Sequence, residues 1–377
     1  MAGIYIHIPF CKQACHYCDF HFSTNQETRT ELVQSIVKEI KIQHDYLGGE
    51  IIRTIYFGGG TPSMLGVREL ALTLEAIRTS QNVMDGAEIT LEANPDDLSL
   101  QKLKELSALG INRLSIGIQS FHQDILTFLN RAHDASTAVT CIRHAREAGF
   151  NNISIDLIYG IPNETDAEWK EDIRQAIALQ PDHLSCYSLT IEPKTVFGKW
   201  SASGKLKPAD DETAAHHLEI LMDELERAGF EHYEISNFSK PGFQSKHNSS
   251  YWKQEKYLGL GPSAHSYNGS SRQFNVRNNN LYIRSLKNDL IPFEKEDLSR
   301  EDLINEFILT TLRTQWGTNL KKLKQDFGYD LWNKNTDYLS KILKGELAIL
   351  KDDVLMLTRK GKLLADKISS DLFVVNE

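Results

Sequence analysis

The chain has 377 residues, of which 41% are hydrophobic and 25% charged, and its formal net charge is −9. That length exceeds what one small core usually takes and predicts one large domain with one or two appendages. The acidic balance disfavours a nucleic-acid partner, because phosphate binding wants a basic footprint.

No stretch approaches the roughly eighteen unbroken apolar residues of a membrane helix. The chain opens into a strand-like run without the pattern of a secretory signal. A cytoplasmic protein is therefore expected.

In chain order, six runs read as buried strands: IYIHI (4–8), TIYFGG (54–59), EITLEA (88–93), RLSIGIQ (113–119), ISIDLIYG (153–160) and HLSCYSL (183–189). Several are near-continuously apolar, as for parallel strands covered on both faces. Helical patterns alternate with them, and Gly110, Gly149 and Gly229 stand where helix C-caps belong. Repeated strand–helix units predict an α/β fold with a parallel sheet, and six units predict an open, partial (β/α)6 barrel over residues 1–230.

Residues 231–300 show no strong periodicity and form an extension. Over 301–377 helical patterns return and end in two strand-like runs about a Lys-Asp-Asp turn, which predicts a mainly helical, winged-helix-like domain. Its expected role is packing or lid support, since the charge balance argues against DNA.

The densest chemical signal is CKQACHYC, which places Cys11, Cys15 and Cys18 just after the first strand; only Cys141 and Cys186 remain elsewhere. An odd count in a reducing compartment points away from disulfides and towards metal or redox chemistry. Thiolates suit zinc or iron–sulfur clusters, and His16 or His21 is near enough in sequence to complete a zinc site. Yet no second cysteine pair follows. Three thiolates on a four-iron cube would leave one iron open to a ligand. For Cys141 and Cys186 packing is the expectation.

Tyr5-Ile-His7-Ile-Pro-Phe-Cys11-x3-Cys15-x2-Cys18 resembles the opening of the radical S-adenosylmethionine superfamily. More narrowly, it resembles the branch of the oxygen-independent coproporphyrinogen III oxidases and their paralogues, the HemW family of haem chaperones. The resemblance implies that the three cysteines hold a [4Fe-4S] cluster whose fourth iron takes the amino and carboxylate groups of S-adenosylmethionine.

It also implies cofactor-facing roles for the FGGGTP turn (Gly59, Gly60, Thr61), Glu92, Gln119, Arg131 and Asp156, with Tyr5 and Tyr17 flanking cluster and adenosine. For Asp156 an ion pair with Arg131 competes with a ligand role. A lone GGGTP would be only a tight turn.

Two departures separate the branches. Where the oxidases carry a further cysteine this chain has Phe20, and only Met1 to Gly3 precede the first strand. Both point away from decarboxylation. Lys246-His247-Asn248-Ser-Ser-Tyr251-Trp252 is similar to the HNxxYW motif of the haem-chaperone family, and YLGLGPSAHSY (257–267) continues the match.

Imidazole beside Tyr and Trp is a sensible haem contact, which makes His247, Asn248, Tyr251 and Trp252 the candidate haem residues. His265, His7 and Cys186 are further candidates for the iron, whereas His216 and His217 read as an exposed helix pair. The resemblance implies haem as cargo, delivery to acceptor haem proteins that include membrane-associated ones, and a homodimer in exchange with monomer. Oxidative decarboxylation of coproporphyrinogen III is the alternative function.

Overall fold

The computed structural model describes residues 1–375. Six parallel strands run in sequence order: β1 (Ala2–Ile8), β2 (Ile52–Gly59), β3 (Val83–Ala93), β4 (Arg113–Gln119), β5 (Ile153–Tyr159) and β6 (His183–Ser188). Each leads into a helix of the outer layer, from Arg29–Ile42 after β1 to Asp211–Arg227 after β6. These are the six units expected.

The glycine caps are also as expected. Gly110, Gly149 and Gly229 all have positive φ. In each case the following residue donates back to the last turn, as Ile111 N does to Leu106 O, which closes a Schellman motif.

Along these strands the residues alternate. One set, including Ile4, Ile6, Ile8, Ile55, Phe57, Leu91, Leu114, Ile116, Ile155 and Leu184, joins a single apolar core beneath the helices. The intervening set is Tyr5, His7, Tyr56, Glu88, Thr90, Glu92, Arg113, Ser115, Ser154, Asp156, His183 and Ser185. Cα–Cβ directions that flip at every residue put this polar set on the opposite, concave face. The expectation that strands of this sheet are apolar on both faces is therefore corrected: the inner face is polar because it lines a cavity.

The segment 231–300 is not the irregular stretch its sequence suggests. It supplies β7 (Glu231–Glu234), β8 (Asn237–Ser239), β9 (Lys256–Leu260), β10 (His265–Tyr267), β11 (Ser271–Asn275) and β12 (Phe293–Asp297). All extend the same twelve-stranded sheet, in the order β12-β11-β10-β9-β1-β2-β3-β4-β5-β6-β8-β7. Strand β9 pairs parallel with β1, and the remaining additions are antiparallel. Runs of three to five residues are too short to show a period, so this half of the sheet was invisible to pattern reading.

A second core gathers Ile304, Phe307, Ile308, Leu323, Leu339, Leu355 and Ile368. Here helices Arg300–Leu312, Leu320–Phe327 and Thr336–Lys344 precede the hairpin β14 (Ala348–Lys351) and β15 (Val354–Leu357), while the short β13 (Thr318–Asn319) pairs with β15. Asp352 and Asp353 both have positive φ, as a two-residue hairpin turn requires.

Buried Glu39 ties the extension to the barrel. Its carboxylate accepts from Gly261 N at 2.8 Å, Asn275 Nδ2 at 2.7 Å, Gln43 Nε2 at 3.2 Å and Tyr282 Oη. Removing a partner that serves four buried donors leaves each of them unpaired. Glu39→Ala is expected to cost on the order of 3 kcal/mol in urea unfolding and to open the chain between residues 256 and 287 to protease. An unchanged midpoint would contradict this role.

Candidate functional site

The concave face and the loops at the C-terminal ends of β1–β6 enclose a cavity of about 1120 Å³. This exceeds the roughly 300–1,000 Å³ usual for one small ligand. Fifteen of the sixteen site residues expected from sequence line it: Cys11, Cys15, Cys18, Tyr5, Tyr17, Gly59, Gly60, Thr61, Glu92, Gln119, Arg131, Asp156, Asn248, Tyr251 and Trp252. His247 does not.

The cysteine loop leaves the end of β1 and is clamped from several sides. Thr61 Oγ1 donates to Cys11 Sγ at 3.4 Å, and Arg131 Nη1 donates to Cys15 Sγ at 3.3 Å. Asn130 holds the loop backbone, donating to Ala14 O at 2.8 Å and accepting from Gln13 Nε2 at 2.6 Å. Lys12 forms ion pairs with Asp96 and Asp97.

All three thiols are free and half-buried. Burial pushes Cys11 up to about 11 and Cys18 up to about 12, so both carry protons at neutral pH until a metal displaces them. Among the described residues no three Cys, His, Asp or Glu side chains converge as ligands of a single ion must. Three soft donors that line one cavity without converging on a point suit a cube of irons better than a tetrahedral zinc, where Zn–S distances are about 2.3 Å.

The FGGGTP turn packs on that loop. Gly60 N donates to Ile8 O at 2.9 Å, and Thr61 N donates to Phe10 O at 2.7 Å. A Cβ on Gly60 would lie 2.8 Å from both Ile8 O and Phe10 O, backbone atoms that cannot swing aside. Gly59 has φ +108° and gives its N–H to Glu92 Oε2 at 3.2 Å. These amides are thus engaged within the protein, and the glycines let loop and turn approach one another.

Glu92 also accepts from Tyr56 Oη at 2.7 Å. Burial raises its carboxyl to about 7. Gln119, at φ +73°, sits where β4 bulges against β5, the kind of strained position found at ligand sites.

Arg131 is engaged through Nη1 and Nη2, while its buried Nε has no partner among the described residues. Beyond Cys15 it donates to Tyr17 Oη at 3.4 Å, Asn94 Oδ1 at 2.8 Å and Gly117 O at 2.7 Å. It makes no ion pair with Asp156, whose carboxylate instead accepts from Ser115 Oγ at 3.1 Å and Ser154 Oγ at 3.4 Å. Asn94 and Asn130 were missed by sequence reading. Asn130 directly precedes Arg131 in the sequence, and in the structure it adopts φ +58°, a conformation that Asn tolerates.

The HNxxYW residues form the short helix Lys246–Trp252. Ser245 caps it, and Glu88 of β3 accepts from Lys246 N at 3.2 Å and His247 N at 3.0 Å, placing a carboxylate at the helix's positive end. His247 is 1% exposed. Its Nδ1 bonds Thr54 Oγ1 at 2.8 Å and its Nε2 bonds Tyr251 Oη at 2.7 Å. It stacks on Tyr56 at 4.9 Å between centroids. Burial, then the charge of Arg113, lower its pKa to about 3.

The ring therefore stands behind Tyr251 as a neutral strut. Gly3 leaves room for it, because a Cβ there would lie 3.2 Å from the imidazole. Trp252 reaches the cavity, with the Arg313 guanidinium 5.4 Å over its ring.

Among the other residues considered for the iron, Cys186 is buried in the apolar core, and Cys141 packs there too. His7 is occupied by Tyr5 Oη at 3.1 Å and His21 O at 2.9 Å. The expected exposed pair His216–His217 is corrected. His216 is exposed, but His217 is 0% exposed and stacks on Trp169, because neighbours on a helix point about 100° apart.

Residues 5–176 match the radical SAM superfamily, and residues 298–364 match the HemN C-terminal domain. The chain is 37% identical over 371 residues to the heme chaperone HemW of Bacillus subtilis, covering 98% of both chains. It is 32% identical to the heme chaperone HemW of Mycobacterium tuberculosis H37Rv, covering 97% of this chain and 93% of that one. The solved coproporphyrinogen III oxidase HemN of Escherichia coli, a radical SAM enzyme, superposes with a TM-score of 0.85 at 23% identity, covering 99% of this chain and 90% of that one. At that identity the likeness speaks for the fold. No helix among the described residues is long and apolar enough to cross a membrane. By sequence over nearly its whole length, the chain belongs to the HemW haem-chaperone family of the radical SAM superfamily.

Proposed function

We propose that the protein binds haem in the cavity described above and passes it to acceptor haem proteins, with a [4Fe-4S] cluster and S-adenosylmethionine held beside the cargo. The observation that carries this reading is that one cavity is lined both by the three thiols and by Asn248, Tyr251 and Trp252. Cys11, Cys15 and Cys18 would ligate three irons. When bound, the cluster supplies an open iron for the amino and carboxylate groups of the nucleotide.

The chain's own part is to orient and shield. Glu92, Gln119 and Asp156 offer polar atoms on the concave wall, Arg131 sets a positive charge on Cys15, and Tyr251 and Trp252 present flat rings towards the cargo. The family name of the relatives supports haem as that cargo. Phe20, where the oxidases have a cysteine, supports a chaperone over a decarboxylase.

Four irons per chain are expected after anaerobic reconstitution, with an absorption change on adding S-adenosylmethionine. Gly60→Ala should load less than a tenth of that iron, by the order of magnitude of a backbone clash of several kcal/mol. A colourless, zinc-containing product would sink the reading.

Haem titration should give a stoichiometric complex, whereas anaerobic incubation with coproporphyrinogen III should yield no decarboxylated product. Appearance of that product would move the protein to the oxidase branch. His247→Ala is expected to lower haem affinity about tenfold with an unchanged absorption line shape, since it removes the strut behind Tyr251, a loss of one neutral hydrogen bond. Tyr251→Phe should behave alike; a changed line shape in His247→Ala would instead make that imidazole the ligand.

For Glu92 the raised carboxyl means that the folded state holds a proton the unfolded state has lost between about pH 4.5 and 7. The unliganded protein should accordingly lose stability as pH rises through that window. Glu92→Gln should flatten this part of the thermal-melt profile, and an identical profile would refute the assignment.

A further inference from the structure

Part of the cavity wall comes from the extension, and it carries an imidazole without a hydrogen bond and a guanidinium without a carboxylate. His265 opens β10, is exposed and faces the cavity. Neither ring nitrogen makes a hydrogen bond among the described residues. Its cross-strand neighbour Phe274 meets it edge-on, with 4.7 Å between centroids, and so holds the ring from behind. Partial desolvation by the cavity walls and the nearby Arg272 and Arg277 keep the imidazole below its usual range, so at neutral pH it is in the lone-pair form that ligates metals.

The other histidines of this wall are less available. His7 has both nitrogens engaged, His21 is tied through Nε2 to Asn279 Oδ1 at 2.8 Å, and His247 is buried.

The cations show the same contrast. Arg131 turns both Nη atoms to the cysteine loop and its neighbours. Arg272 is neutralised by Glu306 at 2.8 Å and also donates to Tyr257 Oη at 3.2 Å. Arg277 is exposed, lines the cavity, and donates only to the carbonyl oxygen of Asp19 at 3.0 Å. It pairs with no carboxylate among the described residues. The residue after Asp19 is Phe20, an apolar ring left 72% exposed at the same cavity.

We infer that His265 and Arg277 form a two-point clamp for a metallated, carboxylate-bearing tetrapyrrole, the imidazole taking the metal and the guanidinium a propionate, with the Phe20 ring offered to the macrocycle. This rests on the proposed haem function and assigns its contacts. A neutral imidazole supplies the nitrogen ligand that haem iron takes, and an unpaired guanidinium matches a carboxylate bidentately.

The test is a set of titrations of the full chain with haem, haem dimethyl ester and metal-free protoporphyrin IX. His265→Ala should shift the haem absorption bands, regain the wild-type spectrum on adding imidazole, and bind the metal-free macrocycle as the wild type does. Arg277→Gln should bind haem about tenfold more weakly, the size of one charge-assisted contact, yet bind the dimethyl ester as the wild type does.

A wild-type spectrum in His265→Ala, a band shift that follows His21→Ala instead, or equal weakening towards haem and its ester in Arg277→Gln would each overturn the clamp while leaving haem binding intact. Failure of the wild-type protein to take up haem would overturn the functional reading itself, and the clamp with it.

Discussion

The structure depends on strands that serve two faces at once. Every second residue of β1–β6 must be apolar, because the helical layer lies on that side and burial there supplies about 25 cal/mol per Å² of the driving force. The residues between them are released from that demand and can be polar, provided the concave side meets water or a ligand. A sheet apolar on both faces would fill its interior with side chains. This one instead carries Glu88, Glu92, Arg113, Asp156 and His183 inside, where unpaired polar groups are costly.

Several of these inner groups are paired across strands or with the later half of the chain, whereas Arg113 Nε and Nη1 have no partner among the described residues. Glu88 of β3 holds the first amides of the Lys246–Trp252 helix, Thr54 of β2 holds His247, and Tyr233 Oη and His183 Nε2 share a hydrogen bond of 2.7 Å. The same logic fixes the cysteine loop, held by Thr61 beyond β2 and by Asn130 and Arg131 beyond β4, with Thr61 and Arg131 donating to its thiols. Loop, glycine turn and HNxxYW helix therefore form one connected surface. A change at Gly60 or Gly3 is felt at the site although neither need touch a ligand.

Much of this was legible beforehand. Six long strands, the glycine caps and the cysteine spacing are local signals, and they led to the right fold and to a set of site residues of which all but His247 line the cavity. The polar positions at period two were also present in the sequence, but reading the strands as covered on both faces concealed what they meant. Strands β7–β12 are too short for a pattern, and β9 joins β1 only through contacts between residues more than two hundred positions apart. The burial of His247 is of the same kind, since Gly3 and Thr54 create its niche from the far end of the chain. A motif names such a residue without telling which way its ring faces.

The central claim is that cargo and cluster share one cavity, and it is tested most directly with a fluorescent stand-in for haem. Zinc protoporphyrin would be bound to the full chain with and without an anaerobically reconstituted cluster, and its emission compared at equal occupancy. Strong quenching only in the cluster-loaded protein is the expected result, because the thiols and the rings of Tyr251 and Trp252 line a common wall. Undiminished emission from a saturated, cluster-loaded complex would place the two sites apart and contradict the account.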